Sequence, residues 1–78
     1  MKKSEVYHII YESDLSAWKV EKEGSPRPIT RTGVKDAAIR IAKSLARSAA
    51  HGRVVVHRKD GGVQEDLIYG KDPAIGFG

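Results

Sequence analysis

The side chains able to do chemistry in this 78-residue chain are 14 lysines and arginines, 10 aspartates and glutamates and three histidines, with no cysteine. The basic residues are the most ordered of these. Arg40, Lys43 and Arg47 recur at a spacing that puts them on one face of a helix. Arg27 and Arg31 lie just before that helix, Arg53 just after it, and Arg58-Lys59 beside a turn. Spaced guanidinium and ammonium groups on a rigid element can meet successive phosphates. The candidate nucleic-acid contacts are therefore Arg27, Arg31, Arg40, Lys43, Arg47, Arg58 and Lys59. The charge distribution agrees: residues 1–22 are neutral, residues 23–59 carry nine basic and two acidic side chains, and residues 60–78 carry one basic and four acidic. Such asymmetry permits an anionic partner without requiring one. Against it, surface helices are normally charged, Asp36 partly offsets the stripe, and no nucleic-acid motif is recognisable. Trp18 and Tyr69 serve as readily in a core as in a stacking platform.

The other polar residues have structural explanations. His8, His51 and His57 stand at no metal-ligand spacing, and no cysteine is present to complete a site. His51 is expected in a last helical turn, where a cation interacts favourably with the helix dipole. His57 is expected at a strand end, with a ring nitrogen bonded to a neighbouring carbonyl. Glu65 and Asp66 are adjacent on a strand, so they point to opposite faces and cannot converge as an acid/base pair. Asp60 and Asp72 are turn residues. Ser44 and Ser48 are helical without a nucleophile elbow, and Gly61-Gly62 opens a strand rather than a phosphate-binding helix. The expectation is no catalysis, no cofactor and no metal.

These residues must be positioned by one small domain, residues 1–78, with an ordered body over about 4–70 and a tail over 71–78. A chain of this length buries only about 60% of its unfolded surface, and dimerisation is a common remedy. At 40% hydrophobic and 31% charged, the composition is that of a soluble globular protein. No apolar run approaches the ~20 residues of a membrane span. The start, MKKSEVYHIIYESD, has no sustained apolar stretch and no small-residue cleavage site, so no signal peptide is expected. Lack of cysteine suits a reducing compartment, and the expected address is the cytoplasm.

Along the chain, Glu5–Tyr11 reads as a first strand, with Val6, His8 and Ile10 alternating against Tyr7, Ile9 and Tyr11. Ala17–Lys22 returns as a second strand, Trp18 and Val20 on one face and Lys19 and Glu21 on the other. Glu23–Thr32 contains Pro26 and Pro28 and is expected to be a connecting loop. The helix is expected from Thr32 or Gly33 to about His51, with Thr32 as N-cap, Asp36 in the first turn and Gly52 after the C-cap. Val34, Ala38, Ile41, Leu45 and Ala49 form its expected core stripe, while Ile39, Ala42, Ala46 and Ala50 form a flank whose mostly small residues would let another element approach closely, alanine's helix propensity being the favoured explanation. Arg53–Gly70 reads as a second hairpin turning at Asp60-Gly61-Gly62. The expected fold is α+β: a two-layer β-β-α-β-β sandwich, one helix packed on an antiparallel sheet.

Trp18 and Val20, Arg27, Asp36-Ala37, Val55-Val56-His57-Arg58-Lys59-Asp60-Gly61 and Tyr69-Gly70-Lys71-Asp72-Pro73 form an ordered pattern that spans nearly the whole chain. That pattern resembles the small bacterial family DUF2188. Gly62 after the turn and Gly33-Val34 at the helix start depart from the pattern. The resemblance implies the β-β-α-β-β fold and carries over no activity, catalytic residue or binding residue. The expected function is a small non-catalytic binding or accessory module, with nucleic-acid binding through the basic helix face as the alternative. A single helix covers one side of the sheet, so either Tyr7, Ile9 and Tyr11 or Val6, His8 and Ile10 face outward, a candidate surface for a homodimer. The competing expectation is a hydrated face whose long charged side chains cover its apolar atoms.

Overall fold

The computed structural model describes residues 4–49 and 51–70. The expected tail with Asp72, Ile75 and Phe77, and Ala50 of the helix flank, lie outside the described residues. The elements are β1 (Ser4–Glu12), β2 (Ala17–Lys22), β3 (Pro28–Thr32), α1 (Lys35–Ser48), β4 (His51–His57) and β5 (Val63–Gly70). The strands make one sheet in the order β3-β2-β1-β4-β5, with α1 packed on one face. The α+β two-layer class is as expected. Two details differ: there is a fifth strand, and the central pair β1–β4 is parallel.

The extra strand lies where a loop was expected. Pro28 is tolerated because it opens the strand at the sheet edge, where β3 pairs only with β2. The residues that follow, Ile29-Thr30-Arg31-Thr32, are β-branched or long and suit a pleated edge. A register shift between Val20 and Glu21 absorbs the proline. β3 runs antiparallel to β2, as β2 does to β1. The chain therefore enters α1 from a strand parallel to β1. The helix crosses the sheet and delivers β4 beside β1 in the same direction. An added strand before the helix thus makes the central pair parallel.

The helix is shorter than expected. It runs Lys35–Ser48, with Val34 at the N-cap in extended conformation and no side-chain cap. Thr32 Oγ1 instead donates to Val34 O at 2.7 Å. Asp36 is in the first turn as expected. Ala49 is the C-cap, its N–H donating to Ala46 O at 3.2 Å, so His51 opens β4 rather than closing α1.

The face of α1 turned to the sheet is also different. Ala38, Ala42 and Ala46 are fully buried, whereas Val34 is 61% exposed. Ile39, Ile41 and Leu45 are half-buried and pack around the rim. The seated face is rotated by roughly 60° from the expected stripe. Small side chains let the helix lie close on Ile9, Val20, Val54 and Val56, all fully buried. Burying each such branched side chain stabilises by about 1.5–3 kcal/mol. At Gly52 the approach is closest: a Cβ there would stand 2.2 Å from Ala46 O.

Alternation assigns the rest. Tyr7 and Ile9 face α1, and Trp18 and Val20 join them from β2. Val6, His8 and Ile10 face the other way, alongside Lys19 and Glu21, with Arg53 and Val55 opposite Val6 and His8 on β4. The β4–β5 turn closes through Gly61 N–H donating to Arg58 O (2.8 Å) and Arg58 N–H to Gly62 O (2.7 Å), with Gly61 at φ 95°. Asp60 Oδ1 accepts from Gly62 N–H at 2.9 Å, the turn role expected of it.

Candidate functional site

The sheet separates the basic residues into two groups. Arg40, Lys43 and Arg47 project from α1 on the helix side of the molecule; Arg40 and Arg47 are exposed and Lys43 is half-buried. Among the described residues none of the three pairs with a carboxylate. Arg47 lies over the Tyr69 ring, 5.6 Å from its centroid. Lys35, absent from the expected set, holds a similar place over Trp18 (4.8 Å) while donating to Gln64. Lys59 stands over Tyr11 at 4.8 Å. Three cations thus cap the aromatic rim of the core, an attraction worth about 0.5–1 kcal/mol at exposed sites. Trp18 is only 7% exposed, so its face is not free to stack on a base.

Arg31 is elsewhere. It stands opposite Lys19 on the sheet face away from α1, and its Nε donates to Glu12 Oε1 at 2.6 Å. The structure therefore does not bring Arg31 together with the helix stripe. Arg58 is held by its own turn, Nε 3.5 Å from Asp60 Oδ1 and Nη1 donating to Val63 O at 3.4 Å. Arg27 is exposed between Pro26 and Pro28, and Arg53 makes a two-pronged pair with Asp66.

The open sheet face is a web of such pairs. Lys19 Nζ is 3.8 Å from both Glu12 and Glu21, and Arg53 Nε is 2.8 Å from Asp66 Oδ1. The Arg31 hydrogen bond pulls the Glu12 carboxyl below the usual carboxylate range. The Arg53 pair does the same to Asp66, and the Gly62 N–H to Asp60. The guanidinium groups of Arg31 and Arg53 are raised in turn, and the Glu5 carboxylate raises Lys22.

At the centre of that face lies a chain of bonds that sequence reasoning missed. His8 Nε2 lies 2.8 Å from Glu23 Oε1, and His8 Nδ1 lies 3.0 Å from His57 Nε2. His57 Nδ1 lies 3.3 Å from Gly61 O, the carbonyl contact expected at the strand end. The rings are 5.2 Å apart between centroids and tilted by 33°. His8 and His57 are 49 residues apart in sequence, and only the parallel β1–β4 pairing makes them neighbours. No local spacing carries that signal.

Among the described residues no three His, Cys, Asp or Glu side chains converge as a metal-binding group. A shallow groove beside the helix end is lined by Glu5, Tyr7, Lys22, Leu45, Ser48 and Ala49. Its one carboxylate, Glu5, is already 2.6 Å from Lys22 Nζ. Among the described residues no helix is long and apolar enough to cross a membrane.

A family model for uncharacterised proteins conserved in bacteria, DUF2188, matches residues 7–69. The chain belongs to the DUF2188 family. The match runs from Tyr7 in β1 to Tyr69 in β5, so it takes in α1 and all three hairpin turns of this DUF2188 domain. No protein of curated function and no solved structure matches the chain.

Proposed function

We propose that this DUF2188 chain is a non-catalytic binding module that docks a nucleic-acid backbone on the outer face of α1. One observation carries the reading. Arg40, Lys43 and Arg47 have no carboxylate partner among the described residues, whereas Lys19, Lys22, Arg31, Arg53 and Arg58 all do. Cations already neutralised release few counterions on meeting phosphate; unpaired ones on a rigid helix release them fully. Seven residues of helix place Arg40 and Arg47 about 10 Å apart along the axis, about three phosphate steps of one duplex strand at roughly 3.4 Å each. Arg27 and Lys59 are secondary contacts of this reading, and Arg31 and Arg58 drop out of it. With Trp18 buried, the contact is to backbone rather than to bases.

Self-association through the open sheet face is the weaker reading. Its apolar residues Val6, Ile10 and Val55 lie among Glu12, Lys19, Glu21, Arg31, Arg53 and Asp66, whose charges a partner would have to desolvate. Ile68, 77% exposed on the edge strand β5, is the feature that favours it.

The test is titration with single- and double-stranded DNA and RNA at rising salt. Three phosphate contacts predict a slope of log K on log salt of about −2 to −3. The Arg40→Glu, Arg47→Glu double variant should abolish binding while lowering the thermal midpoint only by about 2–8 °C, through the lost contact of Arg47 with the Tyr69 ring. Lack of binding at low salt, or binding that survives the double variant, removes the proposal.

A further inference from the structure

The two edges of the sheet are built differently. β3 is short, opens on Pro28, carries Arg31 and pairs through a register shift, all devices that keep an edge strand from pairing with another chain. β5 has eight residues with no proline and no basic side chain, and its register shift lies at the turn end, between Val56 and His57. From Glu65 to Gly70 it pairs regularly with β4, and among the described residues no strand lies beyond it. The N–H and C=O groups of its outer edge therefore lack ladder partners there. Ile68 stands on that edge 77% exposed.

We propose that β5 pairs antiparallel with β5 of a second copy of this chain, Ile68 against Ile68 on the twofold axis, joining two five-stranded sheets into one. This register sets apolar against apolar. Leu67 of each copy comes opposite Tyr69 of the other on the helix side, where both already pack against the core. Asp66, held by Arg53, comes opposite Gly70, which has no side chain. A pair centred on Glu65 or Asp66 would instead set like carboxylates against each other, which is destabilising. The charges across the axis are complementary. Glu65 is exposed, makes no ion pair among the described residues, and comes diagonal to Tyr69 of the second copy, over whose ring Arg47 stands. Each acidic strand start thus meets positive potential rather than a second carboxylate. Pairing of β5 with β3 of another copy would leave an edge free at each step and grow without closing, whereas the twofold pair closes. The twofold axis stands perpendicular to the sheet, so both copies of α1 lie on the same side; the pairing itself does not depend on what α1 binds.

The test is sedimentation equilibrium of the full chain, freed of nucleic acid, from micromolar to millimolar concentration. The expected result is a monomer–dimer equilibrium with no larger species. Ile68→Lys puts a charge on the axis and should weaken the dimer at least tenfold. Ile29→Lys, on the β3 edge, should leave it unchanged. A second measurement uses the absence of cysteine from the chain. Opposed residues of an antiparallel pair have Cα atoms about 4.5–5.5 Å apart, within disulfide reach, so Ile68→Cys should cross-link to a dimer on mild oxidation. Val63→Cys is also exposed on β5 but stands five positions from the axis in each copy, roughly 33 Å from its counterpart, and should not cross-link. Thermal melts establish that each variant is folded, and the cysteine pair decides the matter should Ile68→Lys unfold. A monomer at millimolar concentration overturns the proposal. So do oligomers that grow without limit, a dimer that survives Ile68→Lys or is lost in Ile29→Lys, and cross-linking of Val63→Cys as fast as that of Ile68→Cys.

Discussion

Replacing Gly52 by alanine adds one methyl group where the backbone of α1 leaves no room for it. The new Cβ would stand 2.2 Å from Ala46 O, 2.7 Å from Ala46 C and 2.8 Å from Ala46 Cα. All three are backbone atoms, so no side-chain rotation relieves the clash. Restoring an ordinary contact requires the end of α1 and the start of β4 to separate by about 1 Å. Ala38, Ala42 and Ala46 are fully buried against the sheet, so lifting the helix end opens a gap beneath them. Gaps of that size forfeit a quarter to a half of the dispersion attraction at each affected contact. Overpacking of this kind costs about 2–3 kcal/mol, which in a domain of this length lowers the thermal midpoint by roughly 10–20 °C. Thermal unfolding followed by circular dichroism measures it. Gly33→Ala is the control, because a Cβ at Gly33 meets nothing within 4 Å. Glycine-to-alanine changes without a clash stabilise by about 0.4–1 kcal/mol through the unfolded chain. The two variants should therefore move the midpoint in opposite directions. A midpoint for Gly52→Ala equal to or above that of the unmodified chain would refute the close helix–strand approach.

At Gly61 the cost is conformational instead: φ is 95° and a Cβ would meet nothing within 4 Å, so Gly61→Val pays backbone strain alone, about 1–2 kcal/mol and a midpoint lower by roughly 5–15 °C. An unchanged midpoint would show that the turn does not need that conformation. Acid should weaken the fold through Glu12, Asp60 and Asp66, whose carboxyls are held below their ordinary values of 4.5, 3.8 and 3.8 by Arg31, the Gly62 N–H and Arg53. Carboxyls lowered in the folded state contribute stability above the unfolded value, and that contribution is lost as pH falls through the folded one. The thermal midpoint should hold from neutrality to about pH 5 and fall below about pH 4.5, less steeply in the double variant Glu12→Gln, Asp66→Asn. A midpoint that stays constant down to about pH 3 contradicts this assignment.

Much of the fold was legible locally. The alternation of Trp18 and Val20 against Lys19 and Glu21 placed β2 correctly because one face of a strand is dry and the other wet. Asp60-Gly61-Gly62 announced its turn through the one residue type that takes positive φ without strain and a carboxylate that bonds the following backbone. β3 was hidden by Pro26 and Pro28, although Ile29–Thr32 carried strand-forming residues; proline forbids a central strand but not the start of an edge one. The helix stripe was misassigned because two stripes of α1 recur at helical spacing, and hydropathy alone favours the one with larger side chains. Of the candidate contacts, the spacing of Arg40, Lys43 and Arg47 on one helix face was readable, while Arg31 reached the opposite side of the sheet only because β3 exists.

The sequence by itself therefore determined the helix and four of the five strands, the β1–β2 and β4–β5 turns, the α+β class and the charged helix face, all consequences of chemistry within a few residues. Tertiary structure alone decided which face of α1 is seated, since that depends on how closely Gly52 lets the helix end approach β4. It also decided the parallel pairing of β1 with β4, which follows from the chain crossing the sheet after β3. From that pairing comes the contact between His8 and His57, whose nitrogens meet only because two strands distant in sequence share a ladder.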